Sequence, residues 1–296
     1  MLLLKECNLC PRKCGIDRTK KRGYCKAGSK IKIAYFSLHM WEEPVVSGKH
    51  GSGTIFFSYC NLRCLYCQNA KISLKGYGKE ISYKRLREIM LLLQEKGAHN
   101  INLVTPTHYV PQIAKVLRTI KGKELKIPVV YNTSSYENVG TIKIMNSLID
   151  IYLADLKYYD DALAIKYSDC KNYFEIATMA IDEMYRQVGK IVIGKDGMMK
   201  KGLIVRVLLL PGHVHDAKEI INYLYKTYQD DIYISIMNQY TPITTCSYTE
   251  LNRRVTEAEY EEVINYALTI GVRNAFIQEG ETASESFIPN FDTSII

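Results

Sequence analysis

Short apolar runs alternate along the chain with longer segments in which apolar residues recur every three or four positions. Six runs have the length and the β-branched or aromatic content of strands, and they cover residues 54–57, 101–104, 129–131, 149–153, 203–210 and 232–236. Segments with helical periodicity lie between and after them, at residues 83–96, 110–119, 140–147, 162–188 and 216–228. Strands that alternate with helices pair in parallel through right-handed crossovers. The pattern therefore predicts an α/β fold, a partial (β/α)6 barrel.

Several of the predicted strands are followed by polar residues that the packing of a hydrophobic core does not explain. In barrels of parallel strands, the chemistry lies at the carboxyl ends of the strands. The candidates at these ends are Thr105, Thr107, Asn132, Thr133, Asp155, Lys157 and Arg206. We expect them to line one binding site.

Some of these candidates also have a structural explanation. Thr107 can cap the helix that follows it. Asp155 and Lys157 can form a surface ion pair. Arg206 stands in an apolar run, where a guanidinium needs an anion, so it can instead pair with a carboxylate in the barrel mouth.

Three cysteines follow the first predicted strand with the spacing Cys60-x3-Cys64-x2-Cys67. A structural iron–sulfur cluster normally takes four cysteines. Three thiolates on a short loop can hold three corners of a [4Fe–4S] cluster and leave the fourth iron open to a ligand, as an open catalytic zinc site does. The alternative is the remnant of a zinc site whose fourth ligand lies elsewhere.

This spacing, with Tyr66 directly before the third cysteine, resembles the signature of the radical S-adenosylmethionine (SAM) superfamily. Residues 53–69 are similar to the same stretch of the glycyl-radical-enzyme activases, of which pyruvate formate-lyase activating enzyme is typical. The resemblance implies a [4Fe–4S] cluster whose open iron binds the amino and carboxylate groups of SAM, with Tyr66 near the adenine. An electron from a flavodoxin or a ferredoxin-type reductant then gives methionine and a 5′-deoxyadenosyl radical, which abstracts a hydrogen atom.

The same resemblance assigns roles to the polar strand ends. Asp155 and Lys157 match the Asp-Leu-Lys of the activases, in which the lysine reaches the SAM carboxylate. Asn132 and Thr133 stand where the activases have an Asp-Thr-Asn-Gly turn near the SAM ribose and carboxylate. Arg206 is a second candidate for the SAM carboxylate.

Thr105 and Thr107 stand where the activases have a Gly-Gly-Glu-Pro run that contacts the SAM amino group. Both glycines and the glutamate are absent here. The two threonines could supply hydrogen bonds to SAM in their place.

Four more cysteines, Cys7, Cys10, Cys14 and Cys25, lie close together near the N-terminus. They predict a small metal-binding knuckle. Four thiolates suit a structural Zn²⁺ and equally a second [4Fe–4S] cluster. The uneven spacing and the proline after Cys10 favour the cluster, but the sequence leaves both ligands as alternatives. Their position ahead of the other three cysteines is similar to that in the PflX-type radical SAM proteins.

Composition limits the location and the partners of the chain. No stretch approaches 18 uncharged apolar residues, so we expect no membrane span. Nine cysteines, seven of them within the first 67 residues, suit metal ligation in a reducing cytoplasm. The formal net charge of +8 permits an acidic or nucleic-acid partner without requiring one.

We divide the chain into three parts. Residues 1–50 form the metal-binding segment, residues 51–240 form the barrel, and residues 241–296 form a segment that closes the barrel, with residues 290–292 over its lateral opening.

These features predict a radical SAM enzyme that acts on a protein or peptide, with activation of a glycyl radical enzyme as one case. The alternatives are modification of a small metabolite or a nucleic acid and, from a different class, a zinc or iron–sulfur binding module without catalysis. The sequence assigns no catalytic residue beyond the ligands of the cofactors.

Overall fold

The computed structural model describes residues 2–242, 245–278, 291 and 293–296. Its strands are β1 (Ile31–His39), β2 (Ser52–Phe57), β3 (Lys79–Ile81), β4 (Ile101–Val104), β5 (Val129–Thr133), β6 (Ile151–Asp155), β7 (Val192–Ile193), β8 (Met199–Leu208), β9 (Tyr233–Met237) and β10 (Ala275–Ile277). Its α-helices are α1 (Leu2–Lys5), α2 (Pro44–Ser47), α3 (Ala70–Ser73), α4 (Tyr83–Glu95), α5 (Val110–Ile120), α6 (Val139–Ile144), α7 (Asp161–Ser168), α8 (Tyr173–Val188), α9 (Val214–Tyr228) and α10 (Glu257–Thr269).

All the strands belong to one sheet, in the order β10-β9-β8-β6-β5-β4-β2-β1-β3, with β7 paired to β8. The six predicted strands correspond to β2, β4, β5, β6, β8 and β9, and these pair in parallel. The predicted α/β fold, a partial (β/α)6 barrel, is therefore confirmed. The carboxyl ends of its strands meet at one edge, where Val104 pairs with Asn132 and Asp155 with Arg206.

The sheet is wider than the sequence pattern indicated. β1 pairs antiparallel to β2, and β3 pairs antiparallel to β1, so residues 31–39 of the N-terminal segment belong to the sheet. β10 adds a further parallel strand beside β9. β3 and β10 are only three residues long, too short for a period-two pattern to identify.

The predicted helix over residues 162–188 is wrong as one element, since the structure divides it into α7 and α8. Asp169 and Asn172 both have left-handed backbones, with φ of +48° and +52°. Aspartate and asparagine tolerate this conformation better than most residues. The break leaves the last carbonyls of α7 free to accept hydrogen bonds from outside the helix.

Buried tyrosines form part of the main hydrophobic core of the protein. Tyr131, Tyr152, Tyr158 and Tyr173 are fully buried, and each hydroxyl has a polar partner. Burial of a tyrosine ring is favourable when its hydroxyl is satisfied. These side chains therefore add apolar burial to the core without leaving a hydroxyl unpaired.

The predicted closing segment is described only in part. Residues 290 and 292 lie outside the described residues. Phe291 is buried and packs edge-on against Tyr35 and Phe56, with ring centroids 6.4 Å and 5.5 Å apart. Closure of the barrel by residues 241–296 stays a prediction. No helix in the described part of the chain has both the length and the apolar composition of a membrane span.

Candidate active site

A cavity of about 540 Å³ opens at the carboxyl ends of the parallel strands. This volume is typical of a site for a small molecule or cofactor. The predicted site residues that line it are Cys60, Cys64, Tyr66, Cys67, Thr105, Asn132, Thr133, Asp155, Lys157 and Arg206. The structure thus brings together all the candidates from the barrel except Thr107, while their binding to a cofactor stays a prediction.

The loop of residues 60–67, called here the three-cysteine loop, is tied to the end of α7. The backbone N–H groups of Arg63 and Leu65 donate to the carbonyls of Ser168 and Tyr167, at 3.2 Å and 2.9 Å. The buried amide of Asn61 donates to the Tyr136 carbonyl at 2.7 Å. The loop is therefore held by elements that lie about one hundred residues further along the chain.

Each thiol of the three-cysteine loop has a hydrogen-bonding neighbour. The Leu62 backbone N–H donates to Cys60 Sγ at 3.4 Å, and the Ser168 hydroxyl donates to Cys64 Sγ at 3.0 Å. Cys67 Sγ lies 3.1 Å from the Ser73 hydroxyl. Donors of this kind stabilise thiolates, the form in which cysteine binds iron.

Burial has the opposite effect on these thiols. It raises the pKa of Cys60 well above the usual value and raises the pKa of Cys64 to about 11. Lys157 partly counteracts this by lowering the pKa of Cys64. Binding of a cationic metal centre must therefore release protons from the loop.

Asp155 and Lys157 form an ion pair inside the cavity rather than on the surface. The Lys157 Nζ lies 2.6 Å from Asp155 Oδ2, and the side chains are only 14% and 24% exposed for Lys157 and Asp155 respectively. Burial by itself lowers the pKa of Lys157, but Asp155 and Cys64 outweigh it and raise the pKa above its usual value. Lys157 therefore remains charged beside the three cysteines.

Arg206 is already paired with carboxylates of this chain. Its guanidinium binds Glu43 through two hydrogen bonds of 2.7 Å and also binds Glu42. Asn102 donates to the other oxygen of Glu42 at 2.7 Å. The structural pair that the sequence left open as an alternative therefore describes Arg206 better than a free ligand for the SAM carboxylate does.

Glu42 and Glu43 are site residues that the sequence analysis did not identify. Both line the cavity, and Glu43 is buried. Burial would raise the pKa of Glu43, but the Arg206 guanidinium holds it below the usual value. The two glutamates lie about 160 residues from Arg206, so their partnership has no local sequence signal.

Thr107 does not line the cavity and does not cap α5. The N-cap residue of α5 is Tyr109, which makes no side-chain cap. Instead, Thr107 donates to Glu137 Oε1 at 2.6 Å, as Thr133 does at 2.7 Å and Tyr131 at 3.1 Å. The Thr107 hydroxyl is therefore bound to the buried carboxylate of Glu137 rather than exposed to the cavity, and a contact of Thr107 with SAM stays a prediction.

Glu137 is a second residue that the sequence did not single out. It is buried, and its Oε2 has no hydrogen-bond partner. Burial raises its pKa to about 7 despite the three hydroxyl donors. This carboxyl group therefore takes up a proton near neutral pH in the folded chain.

The four N-terminal cysteines lie near one another on the segment of residues 7–25, called here the four-cysteine segment. Cys7, Cys10 and Cys25 are buried, Cys14 is partly exposed, and all are free thiols. Across residues 2–242, 245–278, 291 and 293–296, no three His, Cys, Asp or Glu side chains are arranged to hold a single metal ion.

The fold and the cavity define a class of protein: a partial (β/α) barrel with a three-cysteine loop after its first core strand. The model of the Radical SAM superfamily matches residues 54–224, more than half of the chain. The chain therefore belongs to the radical SAM superfamily, a family of enzymes that use a [4Fe–4S] cluster and SAM.

A relative and several solved structures are also similar to this chain. The uncharacterized protein MJ0674 of Methanocaldococcus jannaschii is 29% identical over 279 residues, which are 90% of this chain and 75% of that protein. The crystal structure of Streptococcus suis SuiB bound to the precursor peptide SuiA is similar with a TM-score of 0.53 and 16% identity, covering 78% of this chain and 50% of SuiB.

HydG, a maturase of the [FeFe]-hydrogenase, gives a TM-score of 0.52 at 17% identity, covering 77% of this chain and 52% of HydG. At these identities the two structures support the fold alone. The chain spans about half the length of both.

We predict that Arg206→Met destabilises the protein by roughly 3–5 kcal/mol, because it leaves the carboxylates of Glu42 and Glu43 buried without a cation. The triple variant Glu42→Gln/Glu43→Gln/Arg206→Met removes every charge and should recover much of that loss. Denaturant unfolding at pH 7 measures both. Equal losses in the single and the triple variant would contradict the assignment of the pair.

We also predict that Glu137 makes stability fall as pH rises. Its pKa is about 7 when folded and near 4.5 when unfolded, so between these values the folded chain holds the extra proton. This contribution is complete below about pH 4.5, and by pH 8 up to about 3 kcal/mol has been lost. Unfolding curves at several pH values should show this slope in the native chain and not in Glu137→Gln. The same slope in both proteins would assign it to other groups.

Proposed function

We propose that this chain cleaves SAM reductively and uses the resulting radical to abstract hydrogen from a protein or peptide. The observation that carries the proposal is the convergence of three cysteine thiols and the Lys157 ammonium on one cavity at the strand ends. The hydrogen bonds that Cys60 and Cys64 accept would stabilise their thiolates, which fits a cluster bound by Cys60, Cys64 and Cys67. Asn132 and Thr133 lie on the same wall and would orient SAM.

When bound, the cluster would pass one electron from a flavodoxin or ferredoxin-type reductant to SAM, giving methionine and a 5′-deoxyadenosyl radical. The protein's part is to hold SAM against the loop and to keep water away from the radical. Tyr66 is suited to this because it is buried, with its hydroxyl 2.6 Å from that of Tyr158.

The charge of the cavity is complementary to SAM. Glu42, Glu43 and Arg206 together carry a net charge of −1, and Asp155 with Lys157 adds none. SAM carries a sulfonium, an ammonium and a carboxylate, hence a net charge of +1. In a partly desolvated cavity this complementarity favours binding of SAM over an anionic ligand.

The rim of the cavity favours a polypeptide substrate. Met40, Trp41 and Ile277 line the cavity, yet they are 43%, 60% and 47% exposed. Exposed apolar groups around a site commonly mark contact with a macromolecule. Gln239 and Gln278 lie on the same side with their amides 3.1 Å apart, and side-chain amides can hydrogen-bond peptide groups.

A glycyl radical enzyme is the specific substrate that the resemblance of residues 53–69 to the activases supports. The resemblance to PflX-type proteins does not distinguish among polypeptide substrates. We therefore propose the polypeptide class first, with the glycyl radical enzyme as one member of it.

The test is release of 5′-deoxyadenosine from SAM by the anaerobically reconstituted and reduced protein. We expect slow release by the native chain and by Cys246→Ala, because Cys246 does not line the cavity. Cys64→Ala should abolish release, since it removes one of the three cluster ligands. Continued release by Cys64→Ala would refute the site.

The class of the substrate can be identified from the compounds that stimulate the same reaction. Candidate peptides and glycyl radical enzymes should increase 5′-deoxyadenosine release above the rate without substrate. Stimulation only by small metabolites or by nucleic acid would contradict the polypeptide proposal while leaving radical SAM chemistry in place.

A further inference from the structure

The four-cysteine segment packs against the barrel close to the three-cysteine loop. The Asn138 side chain donates to the Asn8 carbonyl at 2.7 Å, and the Thr141 hydroxyl donates to the Leu9 carbonyl at 2.6 Å. These contacts tie the first cysteines to the region around α6. The segment is therefore docked on the barrel beside α6 rather than attached only through the chain.

The backbone around the four cysteines is shaped to surround sulfur. The Tyr24 backbone N–H donates to Cys14 Sγ at 3.4 Å, and the backbone N–H groups of Arg12 and Ala27 lie near the sulfurs of Cys10 and Cys25. Cys60 in the three-cysteine loop receives the same kind of bond, from the residue two positions after it. Amides directed at sulfur stabilise thiolates, and a thiolate is the form that binds metal.

The cysteines are also close to one another. Cys10 is within electrostatic range of Cys7 and Cys25, and Cys25 is within range of Cys7 and Cys14. Gly23 contributes to this closeness, because a Cβ at that position would lie 2.8 Å from Cys14 Sγ. Electrostatic contacts thus link all four thiols, although in this conformation no three of them are arranged to hold a single metal ion.

Apolar packing in this segment is small. Its separate apolar cluster consists of Leu4, Cys7 and Leu9, with Ile16 partly buried against it. A core of this size contributes little stability. Short cysteine-rich segments commonly obtain the rest from a bound metal, whose binding free energy becomes folding free energy.

Two arginines join this segment to the three-cysteine loop. Arg12, between Cys10 and Cys14, donates to the carbonyls of Asn61 and Asp169 at 3.0 Å and 2.5 Å. Its guanidinium lies 3.7 Å from the centre of the Tyr24 ring. Arg63 of the three-cysteine loop contacts the same ring at 4.8 Å and donates to the Tyr24 carbonyl. The two cysteine groups thus share one cluster of contacts.

We propose that Cys7, Cys10, Cys14 and Cys25 form a tetrathiolate metal centre, and that Arg12 makes the position of the three-cysteine loop depend on it. The ligand is an iron–sulfur cluster or Zn²⁺, which share this thiolate chemistry. Arg12 is a positioning residue, since it acts on the loop through the Asn61 carbonyl. The second part rests on the proposed function, because it requires a cluster on the loop.

The first experiment counts metal in the variant Cys60→Ser/Cys64→Ser/Cys67→Ser, prepared both with iron and sulfide under anaerobic conditions and with zinc. About four irons or one zinc per chain should remain, and the preparation that retains metal identifies the centre. Adding Cys10→Ser should remove it, whereas adding Cys246→Ser should not. A triple variant without bound metal, or one that keeps its metal after Cys10→Ser, overturns the proposal.

The second experiment tests the coupling in the otherwise native chain. Arg12→Ala should keep the N-terminal metal but bind the loop cluster about 10-fold more weakly, a typical loss when a residue behind the ligands is removed. Arg12→Lys should restore part of the loss, because it can still donate to one carbonyl. Lys20→Ala, an exposed cation of the same segment, serves as the matched control. Unchanged iron retention and an unchanged EPR spectrum of the loop cluster in Arg12→Ala overturn the coupling.

These outcomes separate the two proposals. Metal retained by the triple variant, with no 5′-deoxyadenosine from the native chain, would refute the proposed function and leave the N-terminal centre standing. Release of 5′-deoxyadenosine by the native chain, with no metal in the triple variant, would refute the N-terminal centre and leave the proposed function standing.

Discussion

The site depends on hydrogen bonds between the three-cysteine loop and the last carbonyls of α7. A helix leaves its final carbonyls without partners inside the helix. The backbone N–H groups of Arg63 and Leu65 satisfy two of them, on Ser168 and Tyr167. The left-handed conformation of Asp169 ends the helix at the point where these carbonyls face the loop. The loop that follows the first parallel strand, β2, is thereby held by α7, the helix that follows the fourth parallel strand, β6.

Hydrogen bonds from Ser168 connect the end of α7 to side chains that line the cavity. The hydroxyl of Ser168 contacts both Cys64 Sγ and the Tyr158 hydroxyl, which in turn contacts Tyr66. The Tyr173 hydroxyl donates to the Asp155 carbonyl next to the ion pair with Lys157. The Tyr158 and Tyr173 rings pack edge-on with centroids 5.4 Å apart, so the thiols, these tyrosines and the charged pair belong to one connected network. Such networks hold functional groups in position more firmly than separate contacts do.

Local patterns in the sequence were enough to predict the parallel strands, the cavity edge and the three-cysteine loop. Period and spacing are short-range signals, and strand ends in a parallel sheet must meet at one edge. The pairing of Arg206 with Glu42 and Glu43 was beyond such signals, because it joins β8 to the connection after β1. The recruitment of Thr107 by Glu137 was missed for the same reason. Both depend on which side chains the fold brings together.

The central claim is that the open position of a cluster on Cys60, Cys64 and Cys67 receives SAM. The most direct measurement is the EPR spectrum of the reduced, anaerobically reconstituted protein with and without saturating SAM. The account predicts a change in the signal of the loop cluster when SAM is added, since SAM would bind its open iron directly. Identical spectra from a fully loaded cluster would contradict it.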